Sequence, residues 1–138
     1  MDGVFFFGGI NNNKIPSNSL LHMSIGTKPA IFDIPNINGH PPKPRIDASM
    51  DYAENISMII IYGGKNELEF SSYYGDMTLL DLRTMNWIQP LFMKEKPIKR
   101  AQHLSIIIGD ELIIFGGNTG SELLNYDFTV VDLNLFNK

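Results

Sequence analysis

The stretch from Met58 to Gly64 (MIIIYGG) decides the fold, because the chain repeats its pattern twice more. Short apolar runs also end in a glycine pair at Val4–Gly9 (VFFFGG) and at Leu112–Gly117 (LIIFGG). The first glycines of the three pairs stand at positions 8, 63 and 116, so the spacings are 55 and 53 residues. Self-similarity at a period near 50 residues is typical of a repeat architecture.

A second segment of strand-like composition follows each glycine pair after a polar loop. These segments are Ser19–Ile25, Asp76–Leu82 and Asp127–Leu133. Arg45 and Arg100 each open an upstream segment that turns back into the glycine-terminated one, and a turn over Arg83–Asn86 leads into Trp87. Because no helical period lies between them, the pattern predicts an all-β chain with four short antiparallel strands per unit.

This order of residues resembles the kelch repeat, which forms one blade of a β-propeller. The repeat has an arginine, an apolar run ending in two glycines, a strand with an aspartate, and a tryptophan, and the copy from Arg45 to Trp87 has all of them. The resemblance covers essentially the whole chain, although the first copy has Ala30 where the tryptophan is expected. It implies a partial kelch-type β-propeller with four-stranded antiparallel blades.

The three copies are predicted to give three, four and three strands. Residues 1–34 form a blade that lacks its inner strand, residues 41–90 a complete blade, and residues 97–138 a blade that lacks most or all of its outer strand. Since propellers close with about four to eight blades, the ring is predicted to be incomplete. Either the remaining blades of a longer protein complete it, or copies of the chain associate.

The glycine-terminated strands read as continuous apolar runs, which is typical of strands buried on both faces. We therefore expect them to be the deepest part of the core. The glycine pairs are interpreted as turns that need positive φ. A phosphate-binding loop is disfavoured, because neither Gly-Lys-Ser/Thr nor a helix follows.

The loops after the second and fourth strands of each blade are predicted to leave the same side of the molecule. They are long and rich in glycine, proline and asparagine: Ile10–Asn18, Pro35–Pro44, Lys65–Tyr73, Pro90–Lys99 and Asn118–Asn125. The loops on the opposite side, such as Gly109–Asp110, are short. Long loops on a rigid scaffold are the usual place for binding.

The kelch resemblance implies that a partner protein binds this side, at the start of the first strand and in the loop after the second. By motif position the implied partner-binding residues are Arg45, Asp47, Asn66, Arg100, Gln102 and Asn118. An alternative role for the two arginines is structural, with the guanidinium donating to backbone carbonyls between blades. The function predicted from the resemblance is a protein-interaction scaffold without catalysis.

Basic residues are concentrated in, or just after, the two loops that join successive blades. They are Lys43, Arg45, Lys94, Lys96, Lys99 and Arg100, with Glu95 as the only acid among them. Within a Debye length of about 8 Å, such a cluster attracts an acidic or phosphorylated segment. The alternative is that these charges only keep the loops soluble.

Composition disfavours several other classes of function. The formal charge of −4 gives no overall attraction for nucleic acid. The sequence shows neither a signal peptide nor an apolar run of about 18 residues, so no membrane association is predicted. The chain has no cysteine, which fits a reducing compartment and favours the cytoplasm, with the nucleus as the alternative.

Neither a catalytic residue nor a cofactor or metal site is predicted. His22, His40 and His103 do not show a zinc-ligand spacing, and no Gly-x-Ser-x-Gly motif is present. One enzyme-linked alternative remains, because Phe115–Gly120 (FGGNTG) resembles stretches of kelch-containing Ser/Thr protein phosphatases. On that alternative the chain is a regulatory propeller segment of a larger enzyme.

Overall fold

Short β-strands make up the regular structure, together with two 3-10 turns, Glu54–Ile56 and Leu133–Phe136. The computed structural model describes residues 3–68, 72–91, 97–121 and 127–136. The strands in these ranges are β1 (Gly3–Phe7), β2 (Leu20–Ser24), β3 (Phe32–Asp33), β4 (Ser49–Ala53), β5 (Met58–Tyr62), β6 (Met77–Asp81), β7 (Asn86–Ile88), β8 (Leu104–Ile108), β9 (Glu111–Phe115) and β10 (Phe128–Asp132).

The strands form three antiparallel sheets, in the orders β1-β2-β3, β4-β5-β6-β7 and β8-β9-β10. We call these sheets blade 1, blade 2 and blade 3. The prediction of three, four and three strands is confirmed for the described part of the chain, and so is the all-β, partial kelch-type propeller architecture. Blade 2 lies between the other two and packs against both.

The prediction that the glycine-terminated strands form the deepest core holds only for β5. All five residues of β5 are buried, and Ile60, Ile61 and Tyr62 have no exposed surface. In β1 half-buried residues alternate with exposed ones, and in β9 only Leu112 and Ile114 are fully buried, so for these strands burial on both faces is not found and the expectation is wrong. The physical reason is that blades 1 and 3 have a neighbour on one face only.

Two apolar clusters join the blades. The cluster between blades 1 and 2 contains Phe5, Phe7, Leu20, Ile59, Ile61, Leu80 and Trp87. In it, the rings of Phe7 and Trp87 meet edge to face with their centroids 6.1 Å apart. The cluster between blades 2 and 3 contains Met58, Ile60, Tyr62, Met77, Leu79, Leu112, Ile114 and Val131, among others. Burial of each such side chain contributes about 1.5–3 kcal/mol, so the blade interfaces are the main source of stability.

Polar contacts align the inner strands β4 and β8. The hydroxyl of Ser105 donates to the Asp51 carboxylate, and the His103 Nε2 atom lies 2.8 Å from the Ser49 hydroxyl. Burial, helped by the positive charge of Arg100, lowers the pKa of His103 to about 4, so the imidazole is neutral at pH 7. These directional bonds fix the register of blade 3 against blade 2.

The outer strands of blades 1 and 2 differ in length and packing. In blade 2 the half-buried Trp87 lies in β7 and packs on the core. In blade 1 β3 is only two residues long and both are exposed. The expectation that Ala30 takes the place of the tryptophan is wrong, because Phe32 pairs with Met23 as Trp87 pairs with Leu80. The Phe32 ring is 56% exposed, whereas Trp87 packs against Phe7 of blade 1.

No helix in the described ranges combines the length and the apolar character that crossing a bilayer would require.

Candidate functional site

Arg45 lies buried where the chain enters blade 2, with 1% of its surface exposed. Its guanidinium donates to the carbonyl of Gly63 at 2.8 Å and to both carboxylate oxygens of Asp76 at 2.9 and 2.8 Å. It also stacks over the Tyr74 ring, 4.3 Å from the centroid. Arg45 thus links the residue that follows β5, Gly63, to the residue that precedes β6, Asp76.

Arg100 makes the same arrangement in blade 3, where it is completely buried. It donates to the carbonyl of Gly116 at 2.7 Å and to the Asp127 carboxylate at 3.0 and 3.2 Å. Both predicted partner-binding arginines therefore bond the glycine carbonyl and the aspartate of their own blades, and Arg100 also bonds the Tyr62 side chain of blade 2. Of the two roles that the sequence left open, the geometry favours the structural one, although the carbonyls lie within a blade and not between blades.

Asp47 and Gln102 stand two residues after these arginines and occupy equivalent positions. Both have left-handed backbone conformations, with φ of 57° and 56°, and both are exposed. The backbone N–H of Gln102 donates to the backbone carbonyl of Asp47 at 3.0 Å, and this bond links the two blades. Since the left-handed region is uncommon for residues other than glycine, the buried arginines and this inter-blade bond must hold the two positions in place.

The residues that follow the glycine pairs lie beside Asp47 and Gln102. The backbone of Lys65 pairs with Ile46, and the backbone of Asn118 pairs with Ala101. Asn118 is exposed, and its side-chain oxygen accepts a bond from the amide of Gly120 at 2.8 Å. We define the blade-top surface as Asp47, Lys65, Glu67, Gln102 and Asn118.

Charge on this surface is paired. The Lys65 ammonium lies 2.8 Å from the Glu67 carboxylate and 3.7 Å from that of Asp47. The bond between Lys65 and Glu67 raises the pKa of Lys65 and lowers the pKa of Glu67. The blade-top surface therefore presents one ammonium between two carboxylates, flanked by two uncharged amide side chains.

Asn66, also predicted to bind a partner, is a structural residue of the loop. Only 6% of its surface is exposed, its amide donates to the carbonyl of Pro44 at 3.3 Å, and its side-chain oxygen accepts from the amide of Leu68 at 3.1 Å. These bonds shape the loop that carries Glu67.

The predicted basic cluster is smaller than its sequence suggests. Arg45 and Arg100 are buried and paired with aspartates. Lys43 and Lys99 are exposed. Two further lysines of the predicted cluster, Lys94 and Lys96, lie outside the described residues.

Lys65 and Glu67 were missed by the sequence reasoning. Lys65 directly follows its glycine pair, as Asn118 does, and this equivalence is the signal that would have found it. Motif position instead pointed to Asn66, one residue further on, whose side chain turns inward.

The recurring aspartates fall into two groups. Asp81 and Asp132 accept bonds from the amides two residues ahead, at 2.8 and 2.9 Å, as expected for turns. Asp76 and Asp127 instead pair with the buried arginines. Among the described residues, no group of three or more histidine, aspartate or glutamate side chains is placed to hold a metal ion.

A cavity of about 730 Å³ lies between the free edge of β1 and the inner strand β4. Gly3, Val4 and Phe5 line one wall, and Met50 and Tyr52 line the other. β4 and β8 are the inner strands of blades 2 and 3, and the cavity lies at the corresponding place in blade 1. The cavity therefore has the position that an inner strand takes in blades 2 and 3.

Comparison with known proteins agrees with this geometry. Residues 2–137 match the family model described as the KLHDC2/KLHL20/DRC7 Kelch-repeats domain. Host cell factor 1 of Homo sapiens is 29% identical over 127 residues, which cover 82% of this chain and 6% of the relative. Acyl-CoA-binding domain-containing protein 5 of Arabidopsis thaliana is 35% identical over 115 residues, which cover 83% of this chain and 17% of the relative. The chain thus spans less than a fifth of the length of these relatives.

Proposed function

Because the chain belongs to the kelch-repeat family, we propose that it is a protein-interaction module that recognises its partner through the blade-top surface. The observation that supports this proposal is the pair of exposed residues Asp47 and Gln102, which occupy equivalent positions with left-handed backbone conformations. The buried arginines and an inter-blade hydrogen bond hold both residues in place. A preorganised surface loses little conformational entropy on binding. The repeat therefore supplies a rigid base, and the residues that differ between copies supply recognition.

The side chains of the blade-top surface suit a polar protein surface. Asp47, Glu67 and Lys65 offer charges of both signs, and Gln102 and Asn118 offer amides that donate and accept. A mixed polar surface of this kind contributes to specificity and to the association rate. The acidic or phosphorylated segment predicted as the partner's feature depends on Lys94, Lys96 and Lys99, next to this surface in sequence order, and stays a prediction.

We propose no catalytic role for this chain. The buried arginines and their partly exposed aspartate partners hold strands together. The stretch Phe115–Gly120 forms the end of β9 and its turn, as Tyr62–Lys65 does after β5. The alternative, a regulatory propeller segment of a larger enzyme, stays a prediction. A cytoplasmic or nuclear location stays a prediction from composition.

Photo-crosslinking from the two ends of the blades tests the proposed surface. A photo-reactive amino acid at Glu67 or at Asn118 is expected to capture the same foreign protein in cells, because both positions belong to one binding face. Matched positions at the short-loop end are Glu54 and Asn134, which are also exposed. Mass spectrometry identifies the captured protein. Capture of the same protein from Glu54 and Asn134 alone, or equally from both ends, would contradict the proposal.

A further inference from the structure

Blades 1 and 3 each turn one apolar face to solvent. On blade 3 the face contains Leu104, Ile106, Ile113, Phe115, Phe128 and Val130, and we call it the leading face. Leu104 is 73% exposed and Phe128 67%. On blade 1 the face contains Val4, Phe6, Leu21, Met23 and Phe32, and we call it the trailing face. Large contiguous apolar patches on soluble proteins usually mark interaction sites.

The repeat shows what kind of surface fits the leading face. Phe115, Ile113, Phe128 and Val130 occupy the positions of Tyr62, Ile60, Met77 and Leu79 in blade 2. Those four residues of blade 2 are at most 5% exposed, because blade 3 covers them. The leading face is therefore the uncovered counterpart of a surface that a neighbouring blade already buries within this chain.

The trailing face shows the complementary half of the same interface. Val4, Phe6 and Met23 occupy the positions of Leu112, Ile114 and Val131, with which blade 3 contacts blade 2. Each position keeps an apolar side chain of similar kind. A blade whose trailing face carries these residues is therefore expected to pack on the leading face.

We infer that the leading face binds the trailing face of a second copy of this chain. Such a contact is head-to-tail, and a dimer closes when the leading face of each copy meets the trailing face of the other. Charge at the short-loop end agrees, since the exposed Glu111 and Asp132 border the leading face while the exposed Lys28 follows β2 of blade 1. The inference concerns assembly and does not depend on the partner of the blade-top surface.

Two single substitutions test the head-to-tail contact. Phe128→Asp blocks the leading face, and Phe6→Asp blocks the trailing face. Both side chains are exposed in one copy, at 67% and 47%, so neither change buries a charge within the chain. Glu54→Lys, at an exposed position of the 3-10 turn after β4, is the control.

The expected result by light scattering after gel filtration is a dimer for the unaltered chain and for Glu54→Lys, and a monomer for each blocked variant. An equimolar mixture of the two blocked variants is expected to form a one-to-one dimer, because one intact interface remains between them. Circular dichroism and thermal melting verify that each variant keeps its fold. A monomeric unaltered chain at all concentrations, a dimer that survives either substitution, or a mixture that stays monomeric would overturn the inference.

Discussion

Replacement of Arg100 by methionine is expected to lower the free energy of unfolding by about 3 kcal/mol, because it leaves the buried Gly116 carbonyl and the partly exposed Asp127 carboxylate without their donor. Arg100 has no exposed surface and donates to the Gly116 carbonyl and to the Asp127 carboxylate. The Asp127 side chain keeps 38% of its surface exposed, so water replaces part of the lost interaction. Urea denaturation followed by circular dichroism measures the change.

The matched control is Arg83→Met, which removes another arginine that pairs with an aspartate. Arg83 bonds the Asp81 carboxylate at 3.1 Å, but its own side chain is 52% exposed. Exposed ion pairs contribute little, so this variant is expected to unfold at nearly the same denaturant concentration as the unaltered chain. Equal losses for the two variants would contradict the structural role assigned to Arg100.

Replacement of Gly63 by alanine is expected to cost at least about 3 kcal/mol, from a left-handed backbone conformation and a steric clash together. Gly63 has a φ of +64°, and a Cβ atom there would lie 2.5 Å from the Arg100 carbonyl oxygen and 2.8 Å from the His103 ring. Blade 3 would have to move away from blade 2 to make room. The free energy of unfolding from urea denaturation measures this cost.

Gly109→Ala separates the two contributions. Gly109 has nearly the same φ, +60°, but nothing lies within 4 Å of the position that a Cβ atom would take. Only the conformational cost of about 1–2 kcal/mol is therefore expected. If Gly63→Ala is no more destabilising than Gly109→Ala, the close approach of blades 2 and 3 at this point is wrong.

The strands and their grouping into blades follow from the sequence because their signals are local. An apolar run that ends in a glycine pair fixes a strand and its turn within a few residues, as at Met58–Gly64. The unequal burial of β1, β5 and β9 was not predicted from their equal composition. It depends on which blades have a neighbour, and that property belongs to the assembly.

The candidate site could be predicted only in part. Asp47, Gln102 and Asn118, which motif position selected, are exposed on the blade-top surface, and their role in partner binding stays a prediction. The burial of Arg45 depends on Asp76, 31 residues away, and that of Arg100 on Asp127, 27 residues away. Pairs so distant in sequence are set by how β5 and β6, or β9 and β10, align. The repeated aspartates carried this information, but their recurrence alone also fits a role in turns.

Isothermal titration calorimetry with the protein captured by crosslinking measures whether that protein binds the blade-top surface. Glu67→Lys reverses one charge on this surface and is predicted to weaken binding about tenfold. The new lysine repels Lys65 and also repels the group of the partner that pairs with the Glu67 carboxylate. Glu54→Lys makes the same charge reversal at the opposite end and is predicted to leave the affinity unchanged. Unchanged affinity for Glu67→Lys together with weakened binding for Glu54→Lys would show that the partner binds at the opposite end of the blades.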